Sequence, residues 1–245
     1  MNGELNVEKN RYSTSLDSFF PRESIVIILD MVDFTNPALN LALEDEILEF
    51  IAKSSSPLSV VRFWRNSECL VAGPRKSRYY GWYREDMARK MNVKIFTRST
   101  GGGVVFHDLG NLNWSFYIKK EQKSFTPPLE IFKSAALMIC NVLNKKYNVN
   151  ACFAPPNRID VNGYKISGMA ARSTSNAILV HGTLLFRTDL DKLDKLCIPP
   201  PDCPPVTNLC YINSELTIDK FIFHFYENLK SYGYRLLVKK ISCFT

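Results

Sequence analysis

The sequence predicts an α/β domain of the α+β kind, in which short strands and amphipathic helices share one core. Three observations predict it. Runs rich in β-branched and aromatic residues, such as Ile25 to Leu29 and Leu58 to Trp64, have the length and composition of strands. Between them, Leu39, Leu43, Ile47 and Ile51 recur at helical spacing. Asn162-Gly163 lies between two apolar runs, and a type I′ hairpin turn needs positive φ at both central residues. With 46% hydrophobic and 22% charged residues among 245, the chain can build one large core and leaves no room for a long disordered tract. The expected division is a polar N-terminal segment, residues 1–22, and a single domain over 23–245.

In order, Ile25 to Leu29 reads as a buried strand. Asn36-Pro37 then offers an N-cap followed by proline at the first helical position, and the helix runs to Lys53. Leu58 to Trp64 is a strand, with Cys69 to Ala72 expected as its partner across a short polar turn. Gly73 to Tyr83 is a loop carrying Arg75, Lys76, Arg78 and three tyrosines. Glu85 to Met91 reads as a short helix and Val93 to Phe96 as a strand. Val104 to Phe106 and Leu112 to Ile118 follow as strands joined by the turn at His107 to Asn111. Along the second, Leu112, Trp114 and Phe116 alternate with Asn113, Ser115 and Tyr117, which predicts one core face and one wet face.

Thr126-Pro127-Pro128 opens a helix ending near Tyr147, with Leu129, Phe132, Ala136 and Leu143 toward the core. The Asn162-Gly163 turn pairs Ile159 to Val161 with Lys165 to Ala170, and Ala177 to Phe186 completes a meander. A helix near Asp189 to Leu196, a proline-rich connector from Ile198 to Val206, a helix from Thr217 to Leu229 and a strand from Tyr234 to Ile241 close the chain.

The formal net charge of +7 suggests an anionic partner. Nucleic acid is disfavoured, because basic runs are short and no aromatic residues alternate with them as a stacking platform requires. Seven cysteines without a C-x-x-C pair, and three histidines, argue against structural zinc and for reduced thiols. No segment has the length of a membrane span and no leader pattern opens the chain, so a soluble cytoplasmic protein is expected, with neither membrane nor nucleic acid as partner.

The stretch Arg98 to Phe116, RSTGGGVVFHDLGNLNWSF, has the composition of a site. Gly101, Gly102 and Gly103 allow backbone N–H groups to converge on an anion, beside Arg98, His107 and Asp108. A second stretch, Cys152 to Arg172, carries Lys165 just past the tight turn and Gly168 nearby. A P-loop and a G-x-G-x-x-G fingerprint are both absent. A glycine nest with two cations suits an anionic reaction centre: activation of a carboxylate by ATP, or acyl transfer through an oxyanion.

These residues resemble the lipoate-protein ligase family, within the superfamily shared with biotin ligases and octanoyltransferases. The resemblance rests on RSTGGGVVFHDLGNLNWSF, NRIDVNGYKISGMAAR and HGTLL (His181 to Leu185), in that order, with NPALNLALEDEIL, VRFWRN and VTNL in support. It implies a mixed, largely antiparallel sheet flanked by helices, the class II biotin/lipoate ligase-like catalytic fold. It also implies a two-step reaction: lipoate, or octanoate, and MgATP give an acyl-adenylate, whose acyl group passes to a lysine of a lipoyl carrier domain, an E2 subunit or glycine cleavage H protein. By the same resemblance, Arg98 and the segment Gly101, Gly102, Gly103, Val104, Val105 and Phe106 bind ATP or the adenylate. Lys165 is the catalytic lysine that meets both phosphate and acyl carbonyl. His107, Gly168, Ala170 and His181 line or shape the lipoyl pocket.

The chain departs from the family pattern in three places. Arg158 occupies the position of an acid that helps hold Mg2+, leaving Asp160 as the nearest candidate metal ligand. Val180-His181 replaces a histidine pair, and Gly73-Pro74-Arg75-Lys76 replaces a G-R-x-Q-N segment. No extra C-terminal domain is expected, and by resemblance such short members need a separate small accessory protein for adenylation. A rival reading is an ATP-independent octanoyl or lipoyl transferase with Cys152 as thioester nucleophile, although a buried, inert Cys152 is the blander expectation. A third is a non-catalytic carrier-binding homologue, motivated by Arg158.

Overall fold

A computed structural model describes residues 19–21, 24–76, 81–120 and 127–240. Most of the segment 1–22, part of the basic loop at 77–80, and residues 121–126 and 241–245 lie outside the described residues.

Eight strands form the main sheet: β1 (Ile25–Met31), β2 (Leu58–Trp64), β6 (Asn111–Lys119), β7 (Ala151–Ala154), β8 (Arg158–Val161), β9 (Tyr164–Ser173), β10 (Ala177–Leu185) and β11 (Arg235–Lys240). Their order across the sheet is β11-β1-β2-β6-β10-β9-β8-β7. From β2 onward every pairing is antiparallel, while β1 runs parallel to both β2 and β11. A smaller sheet holds β3 (Cys69–Ala72) between β4 (Lys94–Thr97) and β5 (Val104–His107). The mixed, largely antiparallel sheet flanked by helices is therefore as expected.

Helices α3 (Pro128–Tyr147) and α6 (Ile218–Ser231) cover one face of the main sheet. Ile139 and Leu143 of α3 and Phe221 and Phe225 of α6 join Val61, Phe63, Trp114 and Phe116 in the largest core. Helix α1 (Pro37–Lys53) covers the other face, packing Leu48 and Ile51 on Val60, Tyr117 and Leu179. It begins as expected: the Asn36 side chain accepts from the Leu39 N–H at 3.2 Å, with Pro37 in the first turn. Two short helices, α2 (Glu85–Lys90) and α4 (Leu190–Leu196), pack on the small sheet through Ala88, Leu70, Phe106 and Leu196; α5 (Leu209–Ile212) is a single turn.

Several expectations need correction. Cys69–Ala72 does not pair with Leu58–Trp64 but sits in the small sheet, so the polar turn between them crosses from one sheet to the other. The turn after His107 does the same between β5 and β6. The second face of β6 is not wet: Asn113, Ser115 and Tyr117 are buried, because α1 lies over them. On α1 itself the buried residues are Asn40, Glu44, Leu48 and Ile51, while Leu39 is exposed. Ala151–Ala154 forms β7, a strand the sequence did not announce. The hairpin is as read: Asn162 and Gly163 have φ of 51° and 82°, and Val161 pairs with Tyr164. Among the described residues no helix is long and apolar enough to cross a membrane.

Candidate active site

The glycine loop is held from within. Arg98, almost fully buried at the end of β4, donates through Nε to the Thr100 hydroxyl at 3.0 Å. Its Nη1 donates to the Val71 carbonyl, and its Nη2 to the carbonyls of Gly101 and Gly103, each at 2.9 Å. Burial lowers the guanidinium to about 10, so it stays charged at neutral pH. Gly102 has a φ of 98°, a conformation that disfavours any other residue, and a Cβ there would also stand 3.1 Å from the arginine. Arg98 thus serves as the clamp that shapes the loop, a use the bare sequence does not reveal.

Behind the loop runs a buried polar chain that begins on α1. Glu44 accepts from the Ser115 hydroxyl at 2.6 Å and lies 2.9 Å from His181 Nδ1. His181 Nε2 is 2.8 Å from the Thr100 hydroxyl, which in turn receives Arg98. Burial alone would raise the Glu44 carboxyl, but His181, Arg62 and Ser115 together hold it below the usual carboxylate range. A carboxylate can only accept, so the imidazole carries its proton on Nδ1 and presents Nε2 to Thr100. The same helix turn extends its grip through Asp45, which accepts from Ser99 at 2.6 Å and from Arg172 at 2.7 Å. Glu44 escaped the sequence reading because a glutamate on an amphipathic helix reads as solvent-facing.

A cavity of about 460 Å³ lies against this framework, within the range of a small-molecule site. The structure brings many of the expected residues to its wall: Arg98, Gly102, Gly103, Val104, Val105 and His107 from the first stretch, and Lys165, Gly168, Ala170 and His181 from the hairpin and β10. Gly182 on β10 is required by close approach, since a Cβ would fall 2.6 Å from the Trp114 ring and 2.8 Å from the Gly168 carbonyl. Gly101 and Phe106 do not line the cavity; Phe106 is buried in the small core. Asp108 accepts from the N–H groups of Gly110 and Asp189 at 2.9 and 2.8 Å, a turn brace outside the cavity.

Two buried polar atoms, on residues that line the cavity, have no partner among the described residues. The Asn66 amide lies 3.1 Å from His107 Nδ1, while His107 Nε2 is unpaired; so is Asn113 Nδ2. Burial, reinforced by Arg98 and His181, pushes the His107 imidazole down to about 3, so it is neutral. Buried polar atoms left unpaired are costly.

Lys165 Nζ stands on the wall with the Cys203 sulfur 3.8 Å away. Its backbone N–H donates to the Pro205 carbonyl at 2.9 Å and its carbonyl accepts from Thr207 N–H at 3.1 Å, which zips the proline-rich segment onto β9. What the sequence offers as a mere connector therefore forms a wall, contributing Ile198, Pro200, Asp202 and Cys203. The signal available was its proline content, which suits a stiff wall as well as a spacer.

Cys152 is exposed on β7, not buried, and does not line the cavity; its sulfur lies 3.6 Å from the Asp160 carbonyl. Asp160 does not line the cavity either. Both of its oxygens accept from Arg158 Nε at 3.1 Å, and Arg158 Nη2 is 3.1 Å from Oδ2. A Mg2+ ion needs free oxygen donors. Both Asp160 oxygens are already engaged by Arg158 and lie outside the cavity lining, and no group of three His, Cys, Asp or Glu side chains suited to a metal occurs among the described residues. The donor set on this hairpin does not fit the divalent cation that the resemblance implies.

Known proteins are similar to this chain in sequence and in fold. The lipoyl protein ligase A/B catalytic domain profile matches residues 36–230. A probable lipoate-protein ligase A of Mycoplasma pneumoniae is 36% identical over 160 residues, covering 65% of this chain and 45% of that protein. The lipoate-protein ligase A of Psychrobacter cryohalolentis is 35% identical over 167 residues, covering 68% and 46%. The chain thus spans about half the length of these curated relatives. Among solved structures, a bipartite lipoate protein ligase of Thermoplasma acidophilum, described with its E2 lipoyl domain, aligns with a TM-score of 0.72 at 21% identity over 90% of this chain and 87% of its own. A lipoate-protein ligase A bound with ATP aligns with a TM-score of 0.73 at 22% identity, covering 90% of each chain. At those identities the structures show a shared fold, and the matched profile, spanning both site stretches, shows that this chain belongs to the lipoyl protein ligase A/B catalytic domain family.

Proposed function

We propose that this chain activates lipoate or octanoate with ATP and passes the acyl group to a lysine of a lipoyl carrier domain. The observation that carries this reading is Lys165: an ammonium on the wall of a ligand-sized cavity, with a sulfur as its hydrogen-bond partner and no carboxylate partner among the described residues. In the first step the acyl carboxylate attacks the α-phosphorus of ATP and pyrophosphate leaves. In the second the carrier lysine attacks the acyl carbonyl, AMP leaves and the amide forms. Negative charge gathers first on phosphate oxygen and then on carbonyl oxygen, and a fixed cation in a half-dry cavity stabilises both. The clamped loop at Gly102 to Val105 supports backbone contact with the nucleotide. The lining residues His107, Asn113 and Ala170 support an acyl group in the cavity. Arg98 and His181 act by holding that wall in place. The Thermoplasma ligase, described with its E2 lipoyl domain, supports a lipoyl-domain carrier, and its bipartite make-up supports a separate accessory protein.

A second reading gains an observation from the structure. Thioester chemistry needs a thiol beside the acyl site, and Cys203, rather than Cys152, stands in the cavity, 3.8 Å from Lys165 Nζ. One experiment separates the two: the mass of a lipoyl domain, and of this chain, after incubation with lipoate plus ATP or with an octanoyl-carrier thioester, each with and without the accessory protein. Ligation predicts carrier modification with pyrophosphate release only in the ATP arm, lost in Lys165→Ala. An acyl adduct on Cys203 with carrier modification in the thioester arm supports transfer instead.

A further inference from the structure

The charges on the cavity wall do not match the metal chemistry expected of the site. Three cationic side chains line it, Arg98, Arg158 and Lys165, against one carboxylate, Asp202. Arg98 spends Nε and Nη2 on the glycine loop and Nη1 on the Val71 carbonyl of β3. Arg158 is different. Its Nε and Nη2 edge lies against Asp160, while Nη1 makes no hydrogen bond among the described residues. The side chain is one-quarter exposed and lines the cavity.

This is a guanidinium fixed on one edge and available on the other. Anchoring removes most of the entropy that a long side chain loses on binding, and the planar fork suits phosphate oxygens. The register strengthens the point. Arg158 pairs with Gly168, a residue without a side chain to fill the space, and Asp160 pairs with Lys165, so one hairpin carries the anchored guanidinium, its anchor and the ammonium. A divalent cation at a polyphosphate contributes positive charge and fixes the oxygens, usually through one or two carboxylates. Here the hairpin carboxylate is consumed, and the group it holds supplies positive charge and oriented donors itself.

Resting on the ligase reading, we propose that Arg158, with Lys165, binds the phosphates of a nucleoside triphosphate directly, so that nucleotide binding by this chain does not require a divalent cation. Asp160 is then a positioning residue for the arginine rather than a metal ligand.

The test is calorimetric titration of the full chain with the non-hydrolysable probe α,β-methylene-ATP, in saturating lipoate, with either Mg2+ or excess EDTA. Wild type is expected to bind with affinities within about threefold in the two conditions. Arg158→Gln should weaken binding in EDTA by roughly tenfold or more, the cost of one charge-assisted hydrogen bond. Arg158→Asp should bind at least about tenfold better in Mg2+ than in EDTA, because a carboxylate returns to the wall. Arg158→Lys, which keeps the charge and loses the anchored fork, should fall between wild type and Gln, and thermal melts report whether each variant is folded. Wild-type affinity that collapses more than about tenfold in EDTA overturns the proposal, as does Arg158→Gln binding like wild type. So does a Mg2+-specific loss in Asp202→Asn, which would assign a metal to that carboxylate. Binding of the probe in neither condition, even with the accessory protein present, overturns the ligase reading itself.

Discussion

His107 shows how one residue links site and stability. Its imidazole is buried, neutral and down to about 3, whereas in an unfolded chain it titrates near 6.5. The unfolded state therefore binds the extra proton first. Stability from this group is complete above about pH 6.5 and declines as pH falls toward 3, by up to about 1.4 kcal/mol per unit. Urea unfolding at pH 7 and pH 5 should show a loss of about 2 kcal/mol attributable to it, and His107→Gln should flatten that difference even if it lowers stability at pH 7. An equal pH slope in the variant would assign the acid sensitivity to other groups. Lys165 makes the complementary point for chemistry: Lys165→Ala is expected to lower the rate of adenylate formation by roughly a hundredfold or more, read as pyrophosphate release, with lipoate affinity less affected.

At the scale of elements, α1 couples the helix layer to the glycine loop through Glu44, His181, Thr100 and Arg98. Glu44→Ala leaves a buried imidazole and hydroxyl without their acceptor and should cost about 3 kcal/mol in unfolding free energy. Glu44→Gln, of similar size, should also release the Nδ1 proton preference of His181, visible in the nitrogen chemical shifts of that ring; unchanged shifts would mean that Glu44 does not set the tautomer. The same helix marks the limit of what the sequence discloses. Its extent and cap were legible because Asn36, Pro37 and the apolar spacing are local signals. Its buried face was displaced by one residue, since Asn40 and Glu44 are buried for long-range partners that no local pattern encodes. The hairpin at Asn162-Gly163 was legible for the same local reason, and the placement of β3 away from β2 was not, because sheet membership is a non-local choice. Within the site, the motif residues were visible as chemistry, but Arg98 turned inward, and the proline-rich wall was invisible until β9 held it.

The whole molecule places its cavity where distant segments meet, from Trp64 to Cys203. A ligand there binds only the assembled fold, so occupancy should stabilise the protein globally. At lipoate and ATP a hundredfold above their dissociation constants, linkage adds about 2.7 kcal/mol per independent site, or roughly 5 to 10 °C in melting temperature. Differential scanning fluorimetry across ligand concentrations measures this, and a melting point indifferent to both ligands would place their binding elsewhere. The edge pairing of Ile25 with Arg235 has a consequence in time rather than in space. On the ribosome β1 can find β2 early, yet its other side must wait for β11, which follows every other strand of the sheet. Until then a strand edge bearing Val26 and Ile28 stands open to any neighbouring chain, so the hazard of crowded synthesis falls on this edge, not on the cavity.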